Sequence, residues 1–175
     1  AIKIATDKEG LTTYYRKVFD AAVIAHKETG APILTHTEIP SSGLEQAEYL
    51  ISNGISREKI IISHMDREID IDRNIKLIKL GVFLEYDTIA RLKYHSDDEE
   101  ISLIKIMIEN GFQSRILIGM DSTRERFISY GGEVGLDYVL AVFAPKLKKS
   151  GVSDGHIEMI TVKNPQRALS FEQSN

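Results

Sequence analysis

The chain has 175 residues, of which 42% are hydrophobic and 27% charged, a typical composition for one globular domain. Its net charge of −4 argues against general binding to nucleic acid or acidic membranes, and no apolar run approaches the roughly 20 residues that span a bilayer. The absence of cysteine excludes disulfides and thiolate metal ligands, and it favours a cytoplasmic location.

Five short runs of apolar and β-branched residues are predicted to be β-strands, at 2–6, 32–36, 59–64, 82–87 and 115–121. Each is followed by an amphipathic stretch that is predicted to be helical, at about 12–29, 42–54, 71–80, 97–110 and 134–150. The fifth helix is predicted to bury a stripe made of Leu136, Leu140, Phe143 and Leu147. A terminal helix over 152–171 is expected to be interrupted near Asn164-Pro165.

A strand followed by a helix, repeated five times without hairpin turns, predicts a parallel α/β sheet covered by helices. The repeat spacing suits either a doubly wound sheet or a (β/α)8 barrel. Five units are too few to close an eight-stranded barrel, which typically takes about 250 residues. No Gly-x-Gly-x-x-Gly or Gly-x-x-x-x-Gly-Lys motif follows any run, so a nucleotide-binding domain has no support.

Polar side chains stand where the predicted strands end, at His36, His64, Asp87 and Asp121, while Lys3 lies within the first run. The C-terminal ends of parallel strands meet at one edge of the sheet, where α/β enzymes build their active sites. Singly, a histidine there is commonly a hydrogen-bonded core residue, and an aspartate commonly caps the next helix. The repetition over five strands favours an active-site edge. Two imidazoles and a carboxylate form a ligand set suited to zinc or manganese.

Three further histidines are not assigned to this edge. His26 lies near a helix C-terminus, where a cation is favourable, and His156 lies in the terminal helix. His95 lies in a loop on the same side as the polar edge, and its role stays open.

These residues resemble those of the phosphotriesterase-like family of the amidohydrolase superfamily, along essentially the whole chain. Residues 2–6 resemble the strand that carries the family's bridging lysine, and Thr35-His36-Thr37 and residues 62–66 resemble the two strands that each supply a metal-binding histidine. Residues 86–91 with Tyr94 resemble the loop after strand seven, and Gly119-Met120-Asp121 with Thr123-Arg124 resembles strand eight and its catalytic aspartate. Asn164-Pro165 with Leu169 resembles the family's closing motif.

The resemblance implies a (β/α)8 barrel, of which residues 1–175 supply about strands 4 to 8 with their helices, as the C-terminal part of one domain. It implies two divalent metal ions, expected to be zinc, bridged by an N-carboxylated Lys3 and a hydroxide. His36 and His64 would bind one metal, and Asp121 would bind the other and take the proton of the attacking water. Asp87 would support this network, so Asp121 and Asp87 are the predicted catalytic residues.

One feature of the family is missing from this sequence. The family carries a His-x-His pair on its first barrel strand, and no two of the five histidines here are two positions apart. The expected partners are therefore a small-molecule substrate and a missing N-terminal barrel half, with a homodimer left open. Arg67 stands where the phosphotriesterase proper has a second acid, so that enzyme's proton relay is not carried over.

Cationic residues in the loops after the fourth and fifth runs predict a phosphate-binding site. They are Arg91 and Lys93 with Tyr94 in the first loop, and Arg124 and Arg126 in the second. Arginine matches phosphate oxygens bidentately, and (β/α)8 barrels commonly bind phosphate at these loops. A solvated loop of mixed charge is the alternative, because Glu125 lies between the two arginines.

The predicted activity is hydrolysis of a lactone, with a phosphorylated sugar lactone as the expected substrate. The alternatives are a hydrolase of unphosphorylated lactones or organophosphate triesters, and a non-catalytic half-barrel that acts as an interaction module. Substitution of Arg124 separates the substrates, because only a phosphorylated one loses a contact. Bound metal separates the enzyme from the module.

Overall fold

The computed structural model describes residues 1–41 and 43–171. Five parallel strands form one sheet in the order β1-β2-β3-β4-β5. They are β1 Ile2–Ala5, β2 Ile33–His36, β3 Ile60–Ile62, β4 Phe83–Tyr86 and β5 Ile116–Ile118. Each strand pairs with its successor in the chain, which is the order of a barrel wall, whereas a doubly wound sheet places strands on both sides of the first. The predicted parallel α/β fold is confirmed.

The helices alternate with the strands as predicted. They are α1 Thr13–Thr29, α2 Gly43–Ser52, α3 Ile71–Ile78, α4 Asp97–Glu109, α5 Ala144–Lys149, α6 Asp154–Glu158 and α7 Asn164–Leu169. Short 3-10 turns occupy Arg57–Lys59, Gln113–Arg115, Arg124–Arg126 and Ile128–Tyr130, and π turns occupy Val139–Phe143 and Met159–Lys163. Within the described ranges, no helix is both long and apolar enough to cross a membrane.

Local chemistry explains where the longer helices begin and end. The side chain of Thr12 accepts a hydrogen bond from the backbone N–H of Tyr15 at the start of α1. Gly30 ends that helix with a φ of 68°, which glycine adopts without steric cost. Helix α4 begins with a capping box, in which Ser96 and Glu99 each accept a hydrogen bond from the other's backbone N–H.

The sheet separates two groups of buried apolar residues. The larger group packs between the sheet and the helices and includes Ile33, Ile60 and Ile62, all fully buried. The smaller group lies on the opposite face and consists of Ile61, Phe83, Leu117 and Ala168, with Leu34 against it. Lys3 pairs with Leu34 in the register, and Glu85 follows Phe83 by two residues. Because side chains alternate along strands, Lys3 and Glu85 share the second face.

The predicted stripe of the fifth helix is half wrong. Phe143 and Leu147 are fully buried, but Leu136 is 82% exposed and Leu140 is 66% exposed. Leu136 lies in a turn before the helix, and Leu140 lies in the π turn, which inserts an extra residue into the helical repeat before the regular helix begins at Ala144. A π turn shifts the residues that precede it to another face of the helix, so 3.6-residue spacing fails across it.

Candidate metal and active site

The strand ends bring the predicted polar residues to one edge of the sheet. His36 ends β2, His64 follows β3 by two residues, Asp87 directly follows β4, and Asp121 follows β5 by three. His64 and Asp121 adopt positive φ values of 63° and 38°, which are uncommon outside glycine. Such backbone conformations concentrate at functional sites, where the surrounding structure holds them in place.

The two histidines of this edge face each other through one nitrogen each. Nδ1 of His36 lies 2.7 Å from Nε2 of His64. The other ring nitrogens contact carboxylates, with His64 Nδ1 2.8 Å from Asp87 Oδ1 and His36 Nε2 3.0 Å from Glu38 Oε2. An imidazole that donates to a carboxylate from one nitrogen presents a lone pair at the other. Two nitrogens at this distance need a proton or a metal cation between them. Donation from the other ring nitrogens to the carboxylates would leave both facing lone pairs free for a cation.

Burial keeps both imidazoles neutral. It lowers the pKa of His64 to about 4, and the positive charge of Arg67 adds to the effect. Burial is also the main cause of the lowered pKa of His36. Metal ions bind the neutral form of histidine, so these rings need not lose a proton before binding at neutral pH.

Lys3 approaches the same region from β1. Its Nζ donates a hydrogen bond to the carbonyl of Thr35 across 3.4 Å and lies 3.5 Å from Ser63 Oγ. Desolvation by the surrounding protein lowers the pKa of the amine, although the negative charges of Glu85 and Asp87 oppose this shift. A neutral lysine amine is the nucleophilic form, which is the form that can add carbon dioxide.

Asp121 is surrounded by positive charge. Arg91 Nη1 donates directly to Oδ2 of Asp121, and Arg67 Nη2 lies 3.4 Å from the same oxygen. Burial alone would disfavour the charged carboxylate, but the charge of Arg91 and its hydrogen bond outweigh burial and lower the pKa of Asp121. The carboxylate is therefore ionised, as both a metal ligand and a proton acceptor require.

Asp87 differs from Asp121 in its surroundings. Its side chain is only 7% exposed, and burial raises its pKa well above the usual range, with the charges of Asp66 and Asp121 adding to the shift. A cation between the facing histidine nitrogens would oppose this shift and favour the ionised carboxylate. The two predicted catalytic acids thus have opposite electrostatic environments.

The sequence analysis gave no role at this edge to three residues, Glu38, Arg67 and Glu85. Arg67 bridges Glu38 and Asp121, with distances of 3.3 Å and 3.4 Å to their carboxylates. Glu85 lies on the same face as Lys3, and burial raises its pKa to about 7, with the charge of Asp87 adding to this effect. Glu85 could have been identified from the sequence, because it is a charged residue inside the otherwise apolar strand Phe83–Tyr86. Neither Glu38 nor Arg67 lies within a strand, so neither carried a comparable signal.

The predicted phosphate-binding residues fall into two groups. Three cations surround the ring of Tyr94, whose centroid is 5.5 Å from the Arg91 guanidinium, 4.6 Å from Lys93 Nζ and 5.4 Å from the Arg67 guanidinium. Arg124 is exposed, and its guanidinium lies 4.5 Å from the ring centroid of Tyr130.

The guanidinium of Arg126 is largely occupied by the backbone. Its Nη2 donates to the carbonyls of Ile89 and Ala90 across 3.0 Å each, and its Nη1 donates to the carbonyl of Met120. These bonds tie the loop after β4 to the loop after β5. The exposed cations Lys93 and Arg124 therefore have more freedom to contact an anion than Arg126 has.

Comparison with known proteins places these residues in context. The family model described as "Phosphotriesterase family" matches residues 1–169. The phosphotriesterase homology protein of Escherichia coli is 33% identical over 165 residues, covering 94% of this chain and 56% of that protein. The phospho-furanose lactonase of Mycoplasmopsis synoviae is 34% identical over 179 residues, covering 98% of this chain and 51% of that protein.

Solved structures agree with the sequence matches. The E. coli phosphotriesterase homology protein, solved with phosphate in its active site, superposes with a TM-score of 0.90, covering 96% of this chain and 58% of that one. A lactonase from Listeria monocytogenes, 31% identical, superposes with a TM-score of 0.91, covering 98% of this chain and 54% of that one. The chain spans about half the length of the curated relatives it matches.

Proposed function

Because the chain belongs to the phosphotriesterase family, we propose that it provides the metal site and the phosphate site of a hydrolase that opens phosphorylated sugar lactones. Relatives of the chain are hydrolases and lactonases by name, including a phospho-furanose lactonase and the Listeria lactonase. The observation that carries the proposal is the pair of histidine nitrogens that face each other across 2.7 Å at the strand ends. Neutral imidazoles oriented by carboxylates are suited to zinc.

The proposed metal ligands are Lys3, His36, His64 and Asp121, with two zinc ions as the expected cofactors and an N-carboxylated Lys3 as the bridging ligand. These residues fit that role because Lys3 has a lowered amine pKa, the histidines are neutral and Asp121 is ionised. When bound, the ions would lower the pKa of a water molecule and polarise the lactone carbonyl.

Asp121 would accept and then return the proton that moves during lactone hydrolysis. Asp121, kept ionised by Arg91 and Arg67, accepts a proton from the water whose oxygen adds to the lactone carbonyl. The bond between the carbonyl carbon and the ring oxygen then breaks, and Asp121 returns the proton to that oxygen. The product is the open-chain hydroxy acid. Asp87 holds the His64 ring in its orientation during these steps.

The phosphate of the substrate would bind the cations of the two loops. Arg91 contacts both Asp121 and the Tyr94 ring, so an anion beside it lies next to the proposed proton acceptor. Lys93 and Tyr94 extend this surface, and Arg124 contributes from the loop after β5. Arg126 was also predicted to bind the phosphate. Because its guanidinium contacts backbone carbonyls, we propose that it acts mainly by holding the two loops together.

Kinetics of an arginine variant test this proposal. Arg124→Met should raise the KM for a phosphorylated sugar lactone roughly tenfold to a hundredfold, since a charge-assisted hydrogen bond is lost. The kcat/KM for a neutral lactone should stay within about twofold. Lys149→Met, which removes an exposed cation elsewhere, is the matched control. Equal losses on both lactones would reject the phosphate site and favour an unphosphorylated lactone or an organophosphate triester.

A non-catalytic half-barrel is the second candidate, because no two histidines of this chain are two positions apart and the family's His-x-His pair is not among its residues. We propose that the remaining metal ligands come from an N-terminal barrel half or from a second copy of the chain. Zinc-loaded protein that turns over none of these substrates would favour the module over the enzyme.

A further inference from the structure

A second group of metal-binding side chains lies beside the strand ends, and none of its members is a predicted ligand of the active site. Asp66, His95 and Glu100 each place one potential ligand atom within 4.8 Å of the other two. Asp66 and Glu100 are fully buried, and His95 is 8% exposed. The three residues come from the segment after β3, the segment after β4 and the first turn of α4.

The neighbours of these residues hold them in orientations that suit metal binding. Nδ1 of His95 lies 3.1 Å from the carbonyl oxygen of Ser96, while its Nε2 lies 2.8 Å from Thr88 Oγ1, 3.1 Å from Glu100 Oε2 and 3.9 Å from Asp66 Oδ2. A cation bound to Nε2 would replace its contact with the Thr88 hydroxyl. Oδ2 of Asp66 accepts hydrogen bonds from the N–H and the hydroxyl of Thr88, each across 2.6 Å. Metal-binding histidines commonly donate to a carbonyl from the other ring nitrogen, and ligating carboxylates are commonly hydrogen-bonded in this way.

Two oxygens of this cluster have no hydrogen-bond partner. They are Oδ1 of Asp66 and Oε1 of Glu100, and both side chains are fully buried. Among the described residues, His95 is the only basic side chain that forms an ion pair with either carboxylate.

The cluster therefore holds more acceptors than donors in a place that excludes water. Buried oxygens without partners are costly, and two buried carboxylates beside one imidazole need a further positive charge. We propose that Asp66, His95 and Glu100 bind a divalent cation of the zinc class, in addition to the ions proposed at the strand ends. One imidazole nitrogen and two carboxylate oxygens suit zinc.

This ion has a structural role because the surrounding residues leave no solvent-exposed position for a substrate. It joins the ends of β3 and β4 to the start of α4. Asp66 follows His64 by two residues and Thr88 follows Asp87 directly, so the ion stiffens both segments that hold the His64–Asp87 pair.

A shared proton is the competing occupant. Burial raises the pKa of Glu100 well above its usual range, and the charge of Asp66 adds to the shift. A protonated Glu100 that donates to Asp66 would satisfy part of the cluster without any metal. Zinc content separates the two occupants, since only a cation site loses metal when a ligand is changed.

The test uses a background variant in which the strand-end site is disabled by His36→Asn and Asp121→Asn. After loading with zinc and dialysis, elemental mass spectrometry should find about one zinc per chain in this background. Adding Glu100→Gln or His95→Gln should reduce zinc to near zero. Glu109→Gln, an exposed acid on the same helix, should leave it unchanged. A chelator should lower the melting temperature of the background but not that of the Glu100→Gln variant.

A background that retains no zinc would overturn the proposal, as would zinc that persists in both cluster variants. Crystals of the unmodified protein give an independent answer if the variants do not fold. Anomalous scattering at the zinc edge should show a peak between Asp66, His95 and Glu100, and the absence of a peak there would assign the cluster to a shared proton.

Discussion

Nδ1 of His64 and Oδ1 of Asp87 lie 2.8 Å apart, and their side chains are only 5% and 7% exposed. This contact joins the ends of β3 and β4 and turns Nε2 of His64 toward Nδ1 of His36. The orientation of the proposed metal site therefore depends on a carboxylate from the neighbouring strand. Contacts of this kind orient metal-binding histidines and raise their basicity.

Asp87→Asn should weaken zinc binding at the strand ends roughly tenfold to a hundredfold, because the amide carries no charge and does not enforce the Nδ1–H tautomer. A competitive titration against a coloured chelator measures this, in a Glu100→Gln background so that the buried cluster does not contribute. Asp72→Asn, which changes an exposed carboxylate on α3, is the control. Unchanged zinc affinity in the Asp87 variant would show that this carboxylate does not support the site.

Glu85→Gln should stabilise the metal-free chain at high pH but not at low pH. The folded-state pKa of Glu85 is about 7 against an ordinary value of 4.5, so between these values the unfolded chain ionises first and folding stability falls as pH rises. Glutamine removes that loss. The gain should be near zero at pH 4 and reach roughly 3 kcal/mol above pH 7.

Urea unfolding at several pH values, with chelator present, measures this gain. Glu109→Gln, at an exposed position, should show no such trend. A gain that is the same at pH 4 and pH 8 would show that the pKa of Glu85 is not raised in the folded chain.

Arg126→Met should lower the free energy of unfolding by about 1–3 kcal/mol, because the carbonyls of Ile89 and Ala90 lose a charged donor. Arg124→Met should cost less than about 1 kcal/mol, since its guanidinium is exposed and stacks on Tyr130. Denaturant unfolding of the two variants gives the comparison. A larger loss for Arg124 would reverse the roles proposed for the two arginines.

Asn164→Ala should lower the free energy of unfolding by about 2–4 kcal/mol. The fully buried Nδ2 of Asn164 donates to the carbonyls of Gln113 and Ile116, each across 2.8 Å, and so attaches α7 to β5. Asn110→Ala removes a similar 2.8 Å bond at an exposed position and should cost within about 1 kcal/mol. Equal costs at the two positions would show that Asn164 does not anchor the terminal helix.

The sequence predicted the sheet well because each strand lies within a short run of mostly apolar and β-branched residues. The predicted run 82–87 contains β4, for example, and the run 115–121 contains β5. The convergence of His36, His64, Asp87 and Asp121 followed from parallel strands in chain order, since their C-terminal ends share one edge. Leu136 was misplaced because it lies in a turn before the helix, and Leu140 because a π turn has no reliable signature in side-chain spacing.

The cluster of Asp66, His95 and Glu100 could not be predicted from the sequence for a different reason. Glu100 belongs to the run Asp97-Asp98-Glu99-Glu100 at the start of α4, which is typical of a solvated first turn with favourable charge. In the fold Glu100 is fully buried and meets Asp66 and His95 from two other segments. Only the tertiary packing brings the three residues together, so no spacing along the chain could indicate them.

We propose that His36 and His64 bind one metal ion through the nitrogens that face each other. Crystals of the protein grown with zinc and measured at the zinc absorption edge test this binding mode. An anomalous peak is expected at about 2.1 Å from both His36 Nδ1 and His64 Nε2. The absence of a peak there, or zinc bound through His36 Nε2 instead, would contradict it.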